Sequence, residues 1–374
     1  MRLILRDRRM WRDFDWSLLL ACLTITSIGI VEIYSSTPTQ NFWIKQIFAL
    51  ALGLIALLIV VRYDYRRIYN HITHIYIAGI FLLIMVLIFG QEVKGQKNWI
   101  NLGVLNLQPS EFVKLAVILA LAKFLSPLRK GNLPWTDILK ATAITALPVA
   151  LIMLQPDAGT ATTFLPILAT MLFLSNLDLR LVIISAVAIV ALMPLSYVYI
   201  LKPYVLKPYQ IMRIEAIVNP ELFEQPEFRR QFGYQTLQSM IAVGSGGITG
   251  TGIMKGTQSR LGFLPEHHTD FIGSVLAEET GFVGSIFVLL LYLFIIIRAM
   301  SIAEKARDRF GMLVIFGFIA VFAYQIIVNL GMVVGLVPIM GITLPLMSYG
   351  GSSILSTMIA VGLIININLH RFAN

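Results

Sequence analysis

Charged side chains are scarce in this 374-residue chain: Asp, Glu, Lys and Arg make up 13% of it, roughly half of what soluble domains carry. Cysteine occurs once, as Cys22, so no internal disulfide can form and a disulfide-stapled secreted protein is excluded. Glycine and proline are at ordinary levels, which excludes collagen-like and low-complexity chains. Apolar residues make up 57% of the chain, and the mean hydropathy of +0.80 indicates a membrane protein.

Apolar runs long enough to cross a bilayer recur along the chain. A hydrocarbon core about 30 Å thick requires roughly 20 mostly apolar residues in a helix. Some runs contain a proline, which neighbouring helices tolerate in a membrane bundle. The sequence therefore predicts an all-α integral membrane protein, a single polytopic domain over residues 1–374 with about ten transmembrane helices. The ten runs lie at 16–35, 43–61, 72–89, 110–126, 138–154, 158–176, 181–200, 281–300, 312–331 and 352–368.

The placement of basic residues predicts the orientation. Lys and Arg concentrate in alternate short loops, beginning with five Arg before residue 13, so both termini are expected in the cytoplasm. The first run is too long for a cleaved signal peptide, and no small-residue cleavage site follows it. Two polar segments then face outward: residues 90–109, and a large extracytoplasmic loop at about 201–270 between spans seven and eight. Because such a long loop is uncommon unless it is functional, the site is expected there.

Ionisable residues inside membrane spans face the protein interior and suggest function. Glu111 and Lys114 open the fourth span at positions i and i+3, so their side chains share one helix face. Glu111 either compensates the helix dipole with Lys114 as its partner or lines a polar cavity. Asp157, just before the sixth span, is the cap of that helix, a cavity carboxylate, or both. Glu32, in the first span, is interpreted as snorkelling or paired rather than catalytic.

A glycine-rich stretch, residues 244–252, precedes Lys255, Gln258, Ser259 and Arg260. Glycine-rich backbone with basic side chains can wrap a phosphate or diphosphate through N–H groups and positive charge. The alternative is a flexible re-entrant loop. Neither a Walker A motif nor a dinucleotide fingerprint is present, so the stretch is not interpreted as a nucleotide site.

The segment before the eighth apolar run carries Glu266, His267, His268 and Asp270. A metal site is conceivable, but adjacent ligands rarely converge on one ion, so a structural metal cluster is disfavoured. A carboxylate at the outer membrane surface, beside a basic glycine-rich loop, suits a general base that acts on a phosphorylated lipid.

Seven segments of the chain carry a family resemblance. They are NWINLG…QPSEFVKLA (98–116), QPDAGTA (155–161), YQIMRI (209–214), NPE (219–221), GYQTLQSMIAVGSGG (233–247), GTQSRLGFLPEHHTDFIGSVLAEETGFVG (256–284) and PLMSYGGSSIL (345–355). In this order they resemble the SEDS family (shape, elongation, division and sporulation), over nearly the whole chain. The LPEHHTDF block is highly specific, and the segments beside it resemble the branch of the family that acts in elongation.

The resemblance implies ten transmembrane helices and a peptidoglycan glycosyltransferase that polymerises lipid II at the outer face of the bacterial cytoplasmic membrane. It also implies a partner, a class B penicillin-binding protein of the elongation machinery that supplies the transpeptidase, and no nucleic acid. Carried over by motif, the essential carboxylate of the family falls on Asp270. The other family positions fall on Glu111, Lys114, Asp157 and Arg213.

One position departs from the family pattern. The family often has arginine before Trp99, whereas this chain has Asn98 with Lys97 adjacent. A basic contact there is therefore absent or shifted by one residue. The cavity that receives the substrate is expected to be lined by Trp99, Glu111, Lys114, Asp157, Arg213, Lys255, Gln258, Ser259, Arg260, His268, Thr269 and Glu279.

The implied reaction inverts an anomeric carbon, because lipid II carries its sugar on an α-linked diphosphate and glycan strands are β-1,4 linked. Asp270 is the candidate base for the acceptor hydroxyl. Candidates to neutralise the leaving diphosphate are Lys114, Arg213, Lys255 and Arg260, together with a divalent cation, Mg²⁺ or Mn²⁺. The activated donor requires no nucleotide cofactor. Two other classes stay open: a lipid II flippase, and a non-catalytic scaffold that activates a penicillin-binding protein.

Gly331 and Gly335 form a G-x-x-x-G at the predicted outer end of the ninth span. Small residues at this spacing let membrane helices approach closely. The pair therefore either contacts the helix of a partner or lets the ninth span approach its own neighbours. The bulky run 286–297 of the eighth span is interpreted as a lipid-facing or knob surface, and we expect the partner near spans eight and nine.

Overall fold

The computed structural model describes residues 13–178 and 233–372, except 94, 95, 102, 104, 105 and 128–132, with isolated positions between the two blocks. The described chain is helical with one small sheet. The helices are α1 (Trp16–Ser36), α2 (Phe42–Arg62), α3 (Tyr65–Phe89), α4 (Pro109–Leu125), α5 (Trp135–Leu154), α6 (Ala158–Thr162), α7 (Phe164–Leu174), α8 (Tyr234–Gly246), α9 (Thr257–Arg260), α10 (Ile272–Glu304), α11 (Arg309–Val333), α12 (Gly351–Leu369) and a 3-10 turn (His370–Phe372).

The sheet connects α3 to α4. Its strands are β1 (Gln91–Val93), β2 (Gln96–Asn101) and β3 (Asn106–Leu107), antiparallel in the order β1-β2-β3. Trp99 pairs with Gln91 in the first ladder, and Ile100 pairs with Leu107 in the second. The end of the helix bundle that carries this sheet is called the sheet end below. It is the end that the basic-residue pattern predicts to face outward.

Seven of the described helices are long and apolar enough to cross a membrane, which makes the chain a multi-pass membrane protein: α1, α2, α3, α5, α10, α11 and α12. The predicted fourth and sixth spans are also helical but shorter, since α4 has 17 residues and α6 with α7 covers 158–174. Most of the predicted seventh run, 181–200, lies outside the described residues. The total of ten spans and the cytoplasmic termini stay predictions.

Two helices differ from the sequence expectation. Helix α10 begins at Ile272, nine residues before the predicted run. Gly281, with a φ of 67°, interrupts the helix and separates a more polar first part from the apolar span. Helix α8 lies inside the segment that was expected to be a loop. The start of that segment falls outside the described residues, so the loop at about 201–270 and the single domain stay predictions.

Helix α12 is the most buried of the seven spans and lies against α2. Glycines permit the close approach: a Cβ on Gly362 would lie 3.2 Å from the backbone of Leu57, and one on Gly53 would lie 3.0 Å from Met358. At the end opposite the sheet, the buried amide of Asn366 donates to the carbonyl oxygens of Val60 (2.7 Å) and Val61 (3.1 Å). Helices α2 and α12 are thus joined at the core of the bundle.

Gly29→Ala is expected to destabilise the fold by about 1–3 kcal/mol, because the new Cβ would clash with the backbone oxygen of Met347. Gly244→Ala is the matched control, since this exposed helical position of α8 has no atom within 4 Å of an added Cβ. The control gains helix propensity of about 0.5–1 kcal/mol. Thermal unfolding in detergent measures both variants. Equal melting temperatures would contradict the packing described here.

Candidate functional site

Asp270 lies in a turn at the sheet end, directly before α10. The backbone N–H groups of Thr269, Asp270 and Phe271 point to the carbonyl oxygen of Glu266 at 3.1, 3.1 and 3.3 Å. The N-cap of α10 is Phe271. Asp270 is half-buried, so part of this residue reaches the solvent. Its carboxylate is therefore not the cap of the long helix that follows.

Aromatic rings surround this turn. The His268 ring stacks on Phe42 of α2 with centroids 4.5 Å apart, and the Tyr349 ring lies 4.8 Å from the Phe42 ring. Burial raises the pKa of the Tyr349 hydroxyl. Tyr349 belongs to the PLMSYGG segment that the resemblance singled out. Phe42 carried no signal in the sequence, because an aromatic residue at the start of an apolar run is ordinary.

The histidines of the turn do not form a metal cluster. Within the described ranges, no group of three or more His, Cys, Asp or Glu side chains could hold a metal ion. The Nδ1 atom of His267 lies 2.7 Å from the carbonyl oxygen of Leu264. A divalent cation at this turn would therefore rely on one or two carboxylates and on oxygen atoms of a substrate.

Glu111 and Lys114 form a buried ion pair at the start of α4. The ammonium lies 2.7 Å from the Glu111 carboxylate, and the two side chains are 8% and 5% exposed. The Ser356 hydroxyl of α12 donates to the second carboxylate oxygen at 3.2 Å. The expected pairing on one helix face is therefore present, and α12 contributes a partner that sequence analysis missed.

Asp157 is the cap of α6 and also a junction between segments. One carboxylate oxygen accepts from the backbone N–H of Thr160 at 3.1 Å. The other accepts from the Thr160 hydroxyl (2.9 Å), from Asn98 of β2 (2.8 Å) and from Gln108 (3.3 Å). The buried carboxylate thus ties the sheet and the start of α4 to α6. At the position where the family often has arginine, Asn98 supplies a neutral donor, while Lys97 is exposed.

The residues that follow the glycine-rich stretch, 257–259, fold around Glu278 of α10, which is fully buried. One carboxylate oxygen accepts from the backbone N–H groups of Thr257 (2.6 Å) and Gln258 (2.8 Å) at the start of α9. The other accepts from the Ser259 hydroxyl at 3.3 Å and its N–H at 3.4 Å. These backbone donors at the start of α9 are used within the chain, so a phosphate beside α9 would be bound by side chains.

Glu279, the next residue of α10, is also buried. The Ser35 hydroxyl at the end of α1 donates to one carboxylate oxygen, and the Met254 N–H donates to the other at 3.1 Å. Buried Glu32 lies on the same helix as Ser35. Glu279 thus joins α1, α10 and the segment before α9.

The residues expected to contact the substrate differ in their exposure to solvent. Lys255 and Arg260 are exposed, and the Arg260 guanidinium donates to the carbonyl oxygen of Met254. The Oε1 atom of Gln258 is buried and has no hydrogen-bond partner within the described ranges. Trp99 is half-buried in β2. Arg213 lies outside the described residues.

The G-x-x-x-G that spans the end of α11 packs inside the protein. A Cβ on Gly331 would lie 2.7 Å from Val337 of the following loop, and one on Gly335 would lie 3.1 Å from Met240 of α8. Gly335 also has a φ of 77°, which side chains rarely adopt. Of the two interpretations, the structure agrees with close approach to neighbours in the same chain.

Lys114→Ala is expected to lower stability by about 3–5 kcal/mol, since it leaves the Glu111 carboxylate buried without its cation. Replacing both residues by alanine is expected to cost less than the sum of the single changes. The matched control is Asp137 with Lys140, a pair of the same spacing at 3.2 Å whose lysine is 63% exposed. We expect a coupling below about 1 kcal/mol there. Thermal unfolding of both cycles measures the couplings, and additive losses at Glu111 and Lys114 would disprove the interaction.

Glu278→Ala is expected to loosen α9, because its first backbone N–H groups lose their acceptor, at about 1–3 kcal/mol for each buried donor left unmet. Hydrogen exchange measured by mass spectrometry on the peptide 255–262 is expected to become faster. Glu304→Ala, at the exposed far end of the same helix, is the control and should leave this peptide unchanged. Unchanged exchange in the Glu278 variant would contradict the capping role.

Proteins of known name resemble this chain over nearly its whole length. It is 37% identical to the peptidoglycan glycosyltransferase RodA of Treponema pallidum (strain Nichols), over 96% of this chain and 98% of that protein. It is 35% identical to the peptidoglycan glycosyltransferase MrdB of Escherichia coli (strain K12), over 96% of this chain and 94% of that one. A solved chain described under the structural coordination of polymerization and crosslinking by a peptidoglycan synthase complex superposes with a TM-score of 0.81. It is 33% identical and covers 96% of this chain and 99% of its own.

The family model for FtsW, RodA and SpoVE, described as a cell cycle protein, matches residues 9–372. That range includes every segment quoted above for the SEDS resemblance. The two relatives described above carry the names RodA and MrdB. The chain therefore belongs to the FtsW/RodA/SpoVE family, that is, the SEDS family, and is similar to its RodA members.

Proposed function

We propose that this chain polymerises lipid II into β-1,4 glycan strands for cell elongation, at the outer face of the cytoplasmic membrane of a bacterium. Its enzyme class is that of its relatives, peptidoglycan glycosyltransferase. The observation that carries the proposal is the position of Asp270. This half-buried carboxylate belongs to the LPEHHTDF turn at the sheet end, with exposed Lys255 and Arg260 at the same end of the bundle.

In the proposed reaction, the acceptor hydroxyl oxygen attacks the anomeric carbon of the donor while the bond to the lipid diphosphate breaks. Asp270 takes the hydroxyl proton, and the diphosphate leaves with the electron pair. Exposed Lys255 and Arg260 can neutralise the departing charge, and Arg213 is a further candidate. Lys114 is already paired with Glu111, so it would act only where the diphosphate replaces that carboxylate.

A divalent cation, Mg²⁺ or Mn²⁺, is part of the proposal. Glu266 and Asp270 are the carboxylates of the turn that could share it with the diphosphate. When bound, the cation would supply positive charge to the leaving group. The donor arrives already activated, so no nucleotide is needed.

The partner we propose is a class B penicillin-binding protein of the elongation machinery. The support is the similarity to a chain of a peptidoglycan synthase complex that combines polymerization and crosslinking. Docking near α10 and α11 stays part of the proposal, although Gly331 and Gly335 contact neighbours inside the chain. The bulky side chains of α10 are exposed there, among them Phe287, Leu290 and Leu293.

Asp270→Asn is expected to abolish polymerisation by the purified protein, a loss of about 10²-fold or more, because asparagine cannot accept the proton. Thermal stability should stay near that of the wild type, since Asp270 does not cap α10. Asp137→Asn, a carboxylate that pairs with Lys140 on α5, is the matched control and should remain active. Glycan chains made from lipid II in detergent are measured.

Together with a lipid II translocation assay in vesicles, this assay separates the three functional classes. An enzyme makes glycan that is lost in the Asp270 variant, and near-normal turnover of that variant would remove Asp270 from the chemistry. A flippase moves lipid II across vesicles without product. A scaffold does neither alone and only raises the activity of its penicillin-binding partner.

A further inference from the structure

We propose that Asn329 and Ser348 are positioning residues that hold the Asp270 turn for catalysis through its backbone. This inference rests on the proposed function, because it assigns the two residues a role in presenting the base. Neither residue belongs to the set of site residues expected from the sequence. The support is a row of hydrogen bonds to the turn from α11 and from the loop 341–350.

Three consecutive carbonyl oxygens of the turn each accept one hydrogen bond from α11 or from the loop 341–350. The Tyr349 backbone N–H donates to His268 at 2.9 Å. The Ser348 hydroxyl donates to Thr269 at 2.6 Å, and the Asn329 amide donates to Asp270 at 2.9 Å. Because successive peptide units are all held, the backbone that carries the Asp270 carboxylate has little freedom to rotate.

Asn329 is a buried side chain that donates two hydrogen bonds. Its Nδ2 atom bridges the carbonyl oxygens of Asp270 (2.9 Å) and Ile342 (2.7 Å), and the residue is 0% exposed. Its Oδ1 atom is buried without a hydrogen-bond partner within the described ranges. An unmet buried acceptor is costly, so the hydrogen bonds that stabilise this amide are the two that its Nδ2 donates.

Ser348 is itself fixed from the opposite side. Its hydroxyl accepts the Leu344 N–H at 2.8 Å while it donates to Thr269. Gln46 of α2, fully buried, donates to the Ser348 carbonyl oxygen at 2.8 Å and accepts the Gly350 N–H at 3.1 Å. The turn is therefore held by Asn329 of α11 directly and by α2 through Gln46 and Ser348.

Such anchoring matters because a general base must lie within about 2.6–3.2 Å of the proton it takes. A misplacement of about 1 Å can cost about 10²-fold in rate. Neither Asn329 nor Ser348 needs to touch lipid II in this role. Their loss should therefore lower kcat and leave KM nearly unchanged.

The test compares Asn329→Leu with Asn366→Leu in lipid II polymerisation. At both positions, leucine is similar in size to the asparagine that it replaces but has no hydrogen-bond donor. Asn366 is the matched control, because it is equally buried and holds carbonyl oxygens at the end opposite the sheet. Rates are expressed per folded molecule. We expect a fall in kcat of at least tenfold for the Asn329 variant with KM within twofold, and kcat within twofold for the control.

Other outcomes overturn the inference. These are kcat within twofold for the Asn329 variant, a rise in KM alone, or an equal loss of kcat in both variants, which would indicate general loosening. If the Asn329 variant does not fold, Ser348→Ala decides by the same criterion, with a fivefold or greater fall in kcat in support and an unchanged kcat against. A wild-type protein that makes no glycan would instead refute the proposed function.

Discussion

A carboxylate buried in an apolar bundle must receive hydrogen bonds or a cation, because an ionised group without them is too costly to hold there. In this chain, that constraint shapes the whole sheet end. Glu278 accepts from the N–H groups that begin α9, and Asp157 accepts from β2, from Gln108 just before α4 and from Thr160 of α6. Glu111 receives the ammonium of Lys114. Glu278 and Asp157 thereby fix segments that enter or leave helices, while Glu111 joins α4 to α12.

The turn that carries Asp270 is held in a different way. The side chains that hold it donate to its backbone carbonyl oxygens and not to a capping carboxylate. They come from α11 and from the loop before α12. The neighbouring acids organise structure, whereas Asp270 stays half-buried at the surface of the bundle. This division of roles suits a site in which one carboxylate must exchange a proton while the others keep the scaffold in place.

The sequence predicted the features that depend on local pattern. Hydropathy located the apolar helices, the i, i+3 spacing predicted the Glu111–Lys114 pair, and the LPEHHTDF motif drew attention to Asp270. Contacts between distant segments had no such signal: Asn98 meets Asp157 across 59 positions, and Ser348 meets Thr269 across 79. The glycine-rich stretch and the residues after it suggested a phosphate cradle, but the backbone N–H groups at the start of α9 donate to Glu278, twenty residues beyond Gln258.

The central claim is that Asp270 acts as an ionised base in glycan polymerisation. The most direct measurement is the pH dependence of kcat for lipid II polymerisation by the wild-type protein, at saturating substrate and within the pH range where it stays folded. A base must be ionised, so the account predicts that kcat is level near neutral pH and falls about tenfold per pH unit once acid protonates the carboxylate. A kcat that stays constant or rises as the pH is lowered through that range would contradict it.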